Sequence, residues 1–159
     1  MSTGAAEPVL PYSVSVLTID DAMEIAMWRT PGPWAVQDSL EPPRPDEGFW
    51  AIRDAEDTLI GYCAFGEQAR SVGLPGVPGT LDVALGMDPR YHGRHLGAPF
   101  AEAAVAHANT IRDNRTLRAT VPSWNAVGRH TAEAVGFRLV GTHELRGGRS
   151  VTTFYVYEM

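Results

Sequence analysis

The segment MDPRYHGRHLGAPF, residues 87–100, joins an apolar strand candidate at residues 81–87 to an alanine-rich helix. It carries four Arg or His residues and two glycines around the start of that helix. Backbone N–H groups at a helix start have no intrahelical partner and carry partial positive charge, and glycines let a turn approach a bound group closely. The segment therefore predicts an anion site that holds a pyrophosphate, and a ligand that carries phosphates.

Length and composition indicate one globular domain covering residues 1–159. The chain is 44% hydrophobic and 20% charged, and it is long enough to bury a sizeable core. No apolar run approaches the roughly 20 residues of a membrane span, and the first residues lack the pattern of a signal peptide. We therefore expect a cytoplasmic protein with no membrane partner. The single cysteine, Cys63, lies in an apolar strand-like run, which favours a buried and inert thiol.

Charge is distributed unevenly along the chain. Residues 1–67 hold 12 acidic side chains against 3 Arg, whereas residues 68–159 hold 7 acidic side chains against 10 Arg. This asymmetry suits a protein that binds an anionic cofactor with its second half and an amine with its first. The net charge of −6 without a basic run argues against nucleic-acid binding. All 13 basic residues are Arg, which excludes Schiff-base chemistry and a Walker-type phosphate lysine.

Strand and helix patterns alternate along the chain without internal repeats. Strand patterns cover residues 12–17, 49–54, 59–65, 81–87, 117–121, 138–144 and 151–157. The second and third of these are joined by a tight polar reversal, which predicts an antiparallel hairpin. The order of elements predicts an α/β (α+β mixed) domain, with a single mixed sheet of six to seven strands flanked by about four helices.

The four helices are predicted from apolar spacing and capping signals. The first begins after Thr18, with Asp21 completing a capping box, and its predicted inward residues are Ile19, Met23, Ala26 and Met27. A short second helix covers residues 34–40. The third carries an apolar stripe of Leu96, Phe100, Ala103, Ala104, Ala108 and Ile111. The fourth covers residues 125–135 and is closed by Gly136.

Two motifs resemble those of the GNAT N-acetyltransferase superfamily, and the order of elements resembles that family over nearly the whole chain. The first family signature, [Gln or Arg]-x-x-Gly-x-[Gly or Ala], falls on residues 92–97, where His92 and His95 replace the first residue and the middle glycine. The second places Asn, a small residue and Gly-Phe at fixed spacing, here Asn125, Gly128, Gly136 and Phe137.

The family often has a tyrosine seven residues after the Asn, where it acts as acid toward the departing thiolate. This chain has Ala132 at that position. In this respect it resembles the branch that includes ribosomal-protein N-terminal acetyltransferases, in which the tyrosine is missing.

The resemblance implies that acetyl-CoA is the co-substrate and lies across the end of the fourth strand. Backbone groups of Leu85, Gly86 and Met87 would pair with the pantetheine as an added strand, with Gly86 forming a bulge that splays the sheet. The turn that begins at His92 would hold the pyrophosphate through the N–H groups of Gly93, Arg94, His95, Leu96, Gly97 and Ala98, provided that φ at His95 is negative. Asn125 would reach the pantetheine amide, and Arg129 a phosphate.

The resemblance also implies the catalytic groups. The enzyme must position a neutral amine and stabilise the oxyanion, for which the Met87 N–H is the expected donor. Asp82 on the fourth strand is the expected base, with Glu67 at the end of the third strand as the second choice. Trp28 and Trp34, in the region where the family forms its acceptor pocket, are the expected substrate-binding residues.

Two functions remain open from the sequence. The first is an acetyl-CoA-dependent N-acetyltransferase that acts on a small-molecule amine or a peptide N-terminus by direct attack in a ternary complex. The second is a non-catalytic CoA-binding or sensor domain, which the alanine at position 132 favours. A zinc hydrolase built on the histidines is a third hypothesis. No Cys or acidic residue completes a known zinc-ligand spacing with them, so we expect no metal. The sequence leaves the oligomeric state open, with the aromatic last strand as a candidate edge for pairing in a homodimer.

Overall fold

The structure, a computed structural model, describes residues 11–30 and 41–159. The strands are β1 Ser13–Val16, β2 Phe49–Arg53, β3 Leu59–Phe65, β4 Thr80–Met87, β5 Thr116–Pro122, β6 Arg138–Gly147 and β7 Ser150–Glu158. The helices are α1 Ile19–Met27, α2 Gly97–Ile111 and α3 Ala126–Ala134. The predicted helix at residues 34–40 lies outside the described residues.

All seven strands form one sheet in the order β1-β2-β3-β4-β5-β7-β6. Only β4 and β5 are parallel neighbours, and every other neighbouring pair in the sheet is antiparallel. The predicted mixed α/β fold with a single sheet is confirmed, as is the hairpin of β2 and β3.

The sheet opens between its two parallel strands. β4 and β5 pair at three positions only, Thr80↔Thr116, Leu81↔Leu117 and Asp82↔Arg118. Beyond these positions β4 pairs with β3 alone and β5 pairs with β7 alone. We call the opening between residues 83–87 of β4 and residues 119–122 of β5 the interstrand gap.

Helices cover both faces of the sheet. One core cluster joins Phe100, Ala104 and Ala108 of α2 to buried side chains of the sheet, including Cys63 and Tyr157. The alanines of the predicted α2 stripe are small enough to let the helix lie close to the strands, and this stripe is confirmed as buried at Phe100, Ala103, Ala104 and Ala108. A second cluster joins α1 to the opposite face, through Ala22, Ile25, Ala51 and Leu59.

The capping box of α1 is confirmed. Of the four residues predicted to face inward, Ala26 is buried, and the prediction is wrong at the other three. The Thr18 hydroxyl accepts from the Asp21 N–H at 3.0 Å, and the Asp21 carboxylate accepts from the Thr18 N–H at 2.9 Å. Asp21 also binds the Arg53 guanidinium of β2 at 2.6 Å. This ion pair turns the Asp21 side of α1 toward the sheet, so that the buried residues are Asp21, Ala22, Ile25 and Ala26. The predicted inward residues that face solvent instead are Ile19, Met23 and Met27.

The predicted dimer edge also needs correction. The last strand, β7, lies between β5 and β6 and has partners on both sides, so its backbone is not free to pair with another copy. The edges of the sheet are β1 and β6.

Candidate functional site

The free edge of β4 is the first component of the site. The Asp88 N–H donates to the Ile60 carbonyl of β3 at 2.8 Å, directly after the last residue of β4. Because backbone groups of successive strand residues point to alternate sides, the N–H and C=O of Met87, Leu85 and Val83 point away from β3 and into the interstrand gap. An extended ligand could therefore pair with this edge as an added strand.

Gly86 does not form the expected bulge. The register of β3 against β4 runs without a shift from Phe65↔Val83 to Gly61↔Met87. The glycine is required for another reason, because a Cβ at this position would overlap the Tyr62 ring on the neighbouring strand. The splay begins instead at the last paired position of β4 and β5.

A buried ion pair lies at that last paired position. The Arg118 Nε and a terminal guanidinium nitrogen donate to the two Asp82 oxygens at 2.6 and 3.1 Å, and Arg70 donates to the same carboxylate at 3.0 Å. Asp82 is 3% exposed and Arg118 is 5% exposed. Arg118 also donates to the Pro75 carbonyl at 2.9 Å, which fastens the loop of residues 71–79 to the sheet.

This placement argues against Asp82 as the base. A general base needs a lone pair that can reach the proton of the incoming amine. Both carboxylate oxygens of Asp82 are already bound by guanidinium groups in a buried setting. Glu67 is placed differently, since it is exposed in a 3-10 turn, Gly66–Ala69, that directly follows β3.

The turn between β4 and α2 has the backbone shape of an anion site. The Asp88 carboxylate caps a short 3-10 turn, Pro89–Tyr91, and binds the Arg90 guanidinium at 2.6 Å. The side chains of the following residues, His92 to His95, are exposed. Within the described part of the chain no side chain caps the start of α2, which follows Leu96, so its first N–H groups, at Gly97 and Ala98, have no side-chain acceptor there. These are the N–H groups that a phosphate would use.

In this turn, the backbone of His95 differs from expectation, and the His92 ring makes a contact that the sequence did not indicate. His95 has φ +57°, so the expected negative φ is wrong and a side chain occupies the left-handed conformation in which glycine is favoured. Gly93 has φ +75° in the same turn. The His92 ring lies 3.1 Å from the Met87 carbonyl oxygen, at the mouth of the interstrand gap.

Helix α3 approaches the start of α2. Its cap, Asn125, accepts from the Gly128 N–H at 2.9 Å through its side-chain oxygen. An added Cβ on Gly97 would lie 2.6 Å from the Thr131 hydroxyl oxygen, so this hydroxyl is a polar group beside the α2 start that the sequence did not indicate. Arg129 stacks on the Tyr155 ring, with its guanidinium carbon 3.9 Å from the ring centre.

A cavity of about 290 Å³ lies on the face of the sheet that carries α1. Its lining includes Phe49, Tyr62, Ala84, Gln68, Arg44 and Glu47. Tyr62 also contacts Trp28, with ring centres 6.4 Å apart and planes inclined at 26°, and Phe49, with ring centres 5.9 Å apart. Burial raises the pKa of the Tyr62 phenol above its ordinary value. The expected acceptor residue Trp28 is not among the described residues that line this cavity and contacts Tyr62, whereas Trp34 lies outside the described residues.

Other chemistries find less support. Within residues 11–30 and 41–159, no group of three or more His, Cys, Asp or Glu side chains could hold a metal ion. Cys63 is buried, and burial raises the pKa of its thiol to about 12. In the part of the chain that the structure describes, every helix is too short or too polar to span a lipid bilayer.

Comparisons with known proteins agree with this architecture. The sequence model of the acetyltransferase (GNAT) family matches residues 14–137. A GNAT-family acetyltransferase from Bacillus anthracis superposes with a TM-score of 0.71 at 12% identity, over 94% of each chain. The protein yncA from Salmonella typhimurium, solved with its cofactor acetyl-CoA, gives 0.63 at 15% identity over 94% of this chain and 93% of its own. A spermidine N-acetyltransferase chimera from Vibrio cholerae and hSSAT gives a TM-score of 0.67 at 15% identity, over 92% of this chain and 94% of its own.

Proposed function

The chain belongs to the acetyltransferase (GNAT) family, and on that premise we propose that it transfers an acetyl group from acetyl-CoA to a primary amine. The amine attacks directly, in a ternary complex. The observation that carries this proposal is the continuous path from the interstrand gap to the uncapped start of α2. An extended chain that ends in a diphosphate matches such a path, since the strand edge pairs with amides and the helix start binds phosphate.

Residues of this chain hold the co-substrate in two places. Leu85 and Met87 present backbone groups to the pantetheine, and the turn of residues 93–98 presents N–H groups to the pyrophosphate. Thr131 adds a hydroxyl beside the latter site. The His92 ring lies 3.1 Å from the Met87 carbonyl oxygen, so it is displaced when the pantetheine binds to that carbonyl. Asn125 caps α3, and Arg129 on this helix leaves the Tyr155 ring to reach a phosphate.

Acetyl-CoA supplies an activated acetyl thioester when it is bound. The N–H groups of Leu85 and Met87 both point into the gap, so either is placed to stabilise negative charge on the thioester oxygen. Met87 is the donor expected from the sequence, and Leu85 lies nearer to the closed end of the gap. These donors are fixed by strand pairing with β3 and need no reorganisation during the reaction.

We assign different roles to the two expected carboxylates. Asp82 anchors the closed end of the gap through Arg118 and Arg70 and does not take a proton from the amine. Glu67 is exposed, and its neighbour Gln68 lines the cavity on the amine side, so Glu67 is the proposed base. The proton that Glu67 takes from the amine then passes to solvent, because Glu67 is exposed. The thiolate is protonated by water, because Ala132 offers no acid.

The test is CoA release from acetyl-CoA over a library of amines, together with a direct measurement of acetyl-CoA binding. We expect saturable binding and amine-dependent release, with Glu67→Gln lowering kcat and leaving acetyl-CoA binding unchanged. Saturable binding without turnover on any amine would instead indicate a non-catalytic CoA-binding domain. Absence of binding would refute both.

A further inference from the structure

The cavity beside the interstrand gap has properties that restrict the amine. It is bounded by α1, by the segment that leads into β2, and by the sheet face of β2 to β4. Ala84 of β4 lies in its lining and directly precedes Leu85, whose backbone faces the gap. An amine in this cavity therefore lies next to the site at which the thioester is held.

The size of the cavity favours a small molecule. About 290 Å³ is at the lower end of the range for ligand sites. At about 30 Å³ per water it holds roughly ten water molecules, and thus a ligand of about ten non-hydrogen atoms. A peptide substrate would have to place its later residues outside this volume.

The lining has an apolar and an acidic part. Phe49 and Tyr62 contribute aromatic surface, and Trp28 stacks behind Tyr62 to fix its ring. Glu47 contributes a carboxylate whose ion-pair partner among the described residues is Arg44, at 3.2 Å, in a pair whose Arg side chain is 75% exposed. Such an exposed pair is weak and easily exchanged, so Glu47 can bind an incoming ammonium group. Aromatic faces also favour a cation.

We propose that the acceptor is a small primary amine with an apolar body of about ten non-hydrogen atoms or fewer, attracted by Glu47 and packed against Phe49 and Tyr62. This inference rests on the proposed acetyltransferase function and selects its small-molecule form over a peptide N-terminus. The aromatic walls select the apolar body, and the small side chain of Ala84 leaves room for it beside the gap.

The experiment compares kcat and KM for 2-phenylethylamine, which has nine non-hydrogen atoms, with those for a tetrapeptide beginning with phenylalanine. We expect the small amine to have the higher kcat/KM. Ala84→Leu should raise its KM at least tenfold by filling the cavity, because even one methylene in an apolar pocket is worth about tenfold or more. Glu47→Gln should raise KM about two- to fivefold, as for other exposed charge pairs.

Matched controls are Ala106→Leu on the exposed side of α2 and Glu56→Gln in the β2–β3 turn, both outside the cavity and both expected to leave KM unchanged. Thermal unfolding shows whether Ala84→Leu is folded, and acetyl-CoA binding is measured for every variant. If acetyl-CoA binds normally but the peptide is the better substrate, or the cavity variants leave KM unchanged, the inference is overturned while the proposed function stands. If acetyl-CoA does not bind to the unsubstituted protein, the proposed function fails first.

Discussion

Substitution of Asp82 tests whether this residue stabilises the fold as an ion-pair anchor or acts as the catalytic base. In the anchor role, Asp82→Ala leaves two guanidinium groups, those of Arg118 and Arg70, beside a buried space without their carboxylate. Removing one partner of a buried ion pair costs about 3–5 kcal/mol of unfolding free energy. At roughly 2–4 °C per kcal/mol for a chain of this length, the midpoint of thermal unfolding should fall by about 6–20 °C. Asp82→Asn keeps one acceptor oxygen, so the decrease of its unfolding midpoint should be at the lower end of this range.

The assay is urea and thermal unfolding of both variants, followed by kinetics at a temperature at which each is folded. An anchor also predicts that the double variant Asp82→Leu/Arg118→Met recovers part of the lost stability, because a buried pair can be replaced by apolar residues of similar size. Glu67→Gln is the matched control and should change the unfolding free energy by no more than about 0.5 kcal/mol. If Asp82→Asn is as stable as the unsubstituted protein and yet loses kcat more than a hundredfold, the base role is correct and our argument fails.

Three further predictions concern single positions. His95→Gly should raise the unfolding free energy by about 1 kcal/mol, because a side chain is strained at φ +57°; urea unfolding that shows no gain would contradict this. Gly86→Ala should lower it by about 1–3 kcal/mol, because the added methyl overlaps the Tyr62 ring, and an unchanged midpoint would mean that the ring moves freely. His107 has a buried Nε2 without a partner, and burial lowers the pKa of its ring. Its contribution to stability is therefore complete above the unfolded pKa of about 6.5 and decreases as the pH falls toward the lower folded pKa. His107→Leu should flatten this decrease in urea unfolding at pH 7.5 and 5.5, and equal slopes for both proteins would refute the assignment.

Local patterns in the sequence predicted the fold well, because local chemistry determines them. The capping box of Thr18 and Asp21, the hairpin of β2 and β3 and the helix α3 each depend on residues a few positions apart. The positions of the two family motifs also predicted the turn before α2 and the free strand edge that leads to it.

Long-range pairing decided what could not be predicted. The face of α1 depends on the ion pair of Asp21 with Arg53, 32 residues away, and apolar spacing alone gave the wrong side. Asp82 could not be recognised as an anchor, because Arg118 is 36 residues away and comes beside it only through the parallel register of β4 and β5. The sequence could not show that Tyr62 lines a cavity, because its position depends on the pairing of β3 with β4, which sets it opposite Gly86.

The burial of Cys63 has a practical result for enzymology. It is the chain's single cysteine, it has no exposed surface, and its thiol pKa is about 12. Because only thiolates react quickly with disulfide chromophores, the folded polypeptide contributes almost no signal to such reagents. Colour formed during turnover thus comes from liberated coenzyme, and a slow rise in samples that lack both amine and acetyl-CoA would report exposure of this residue on unfolding.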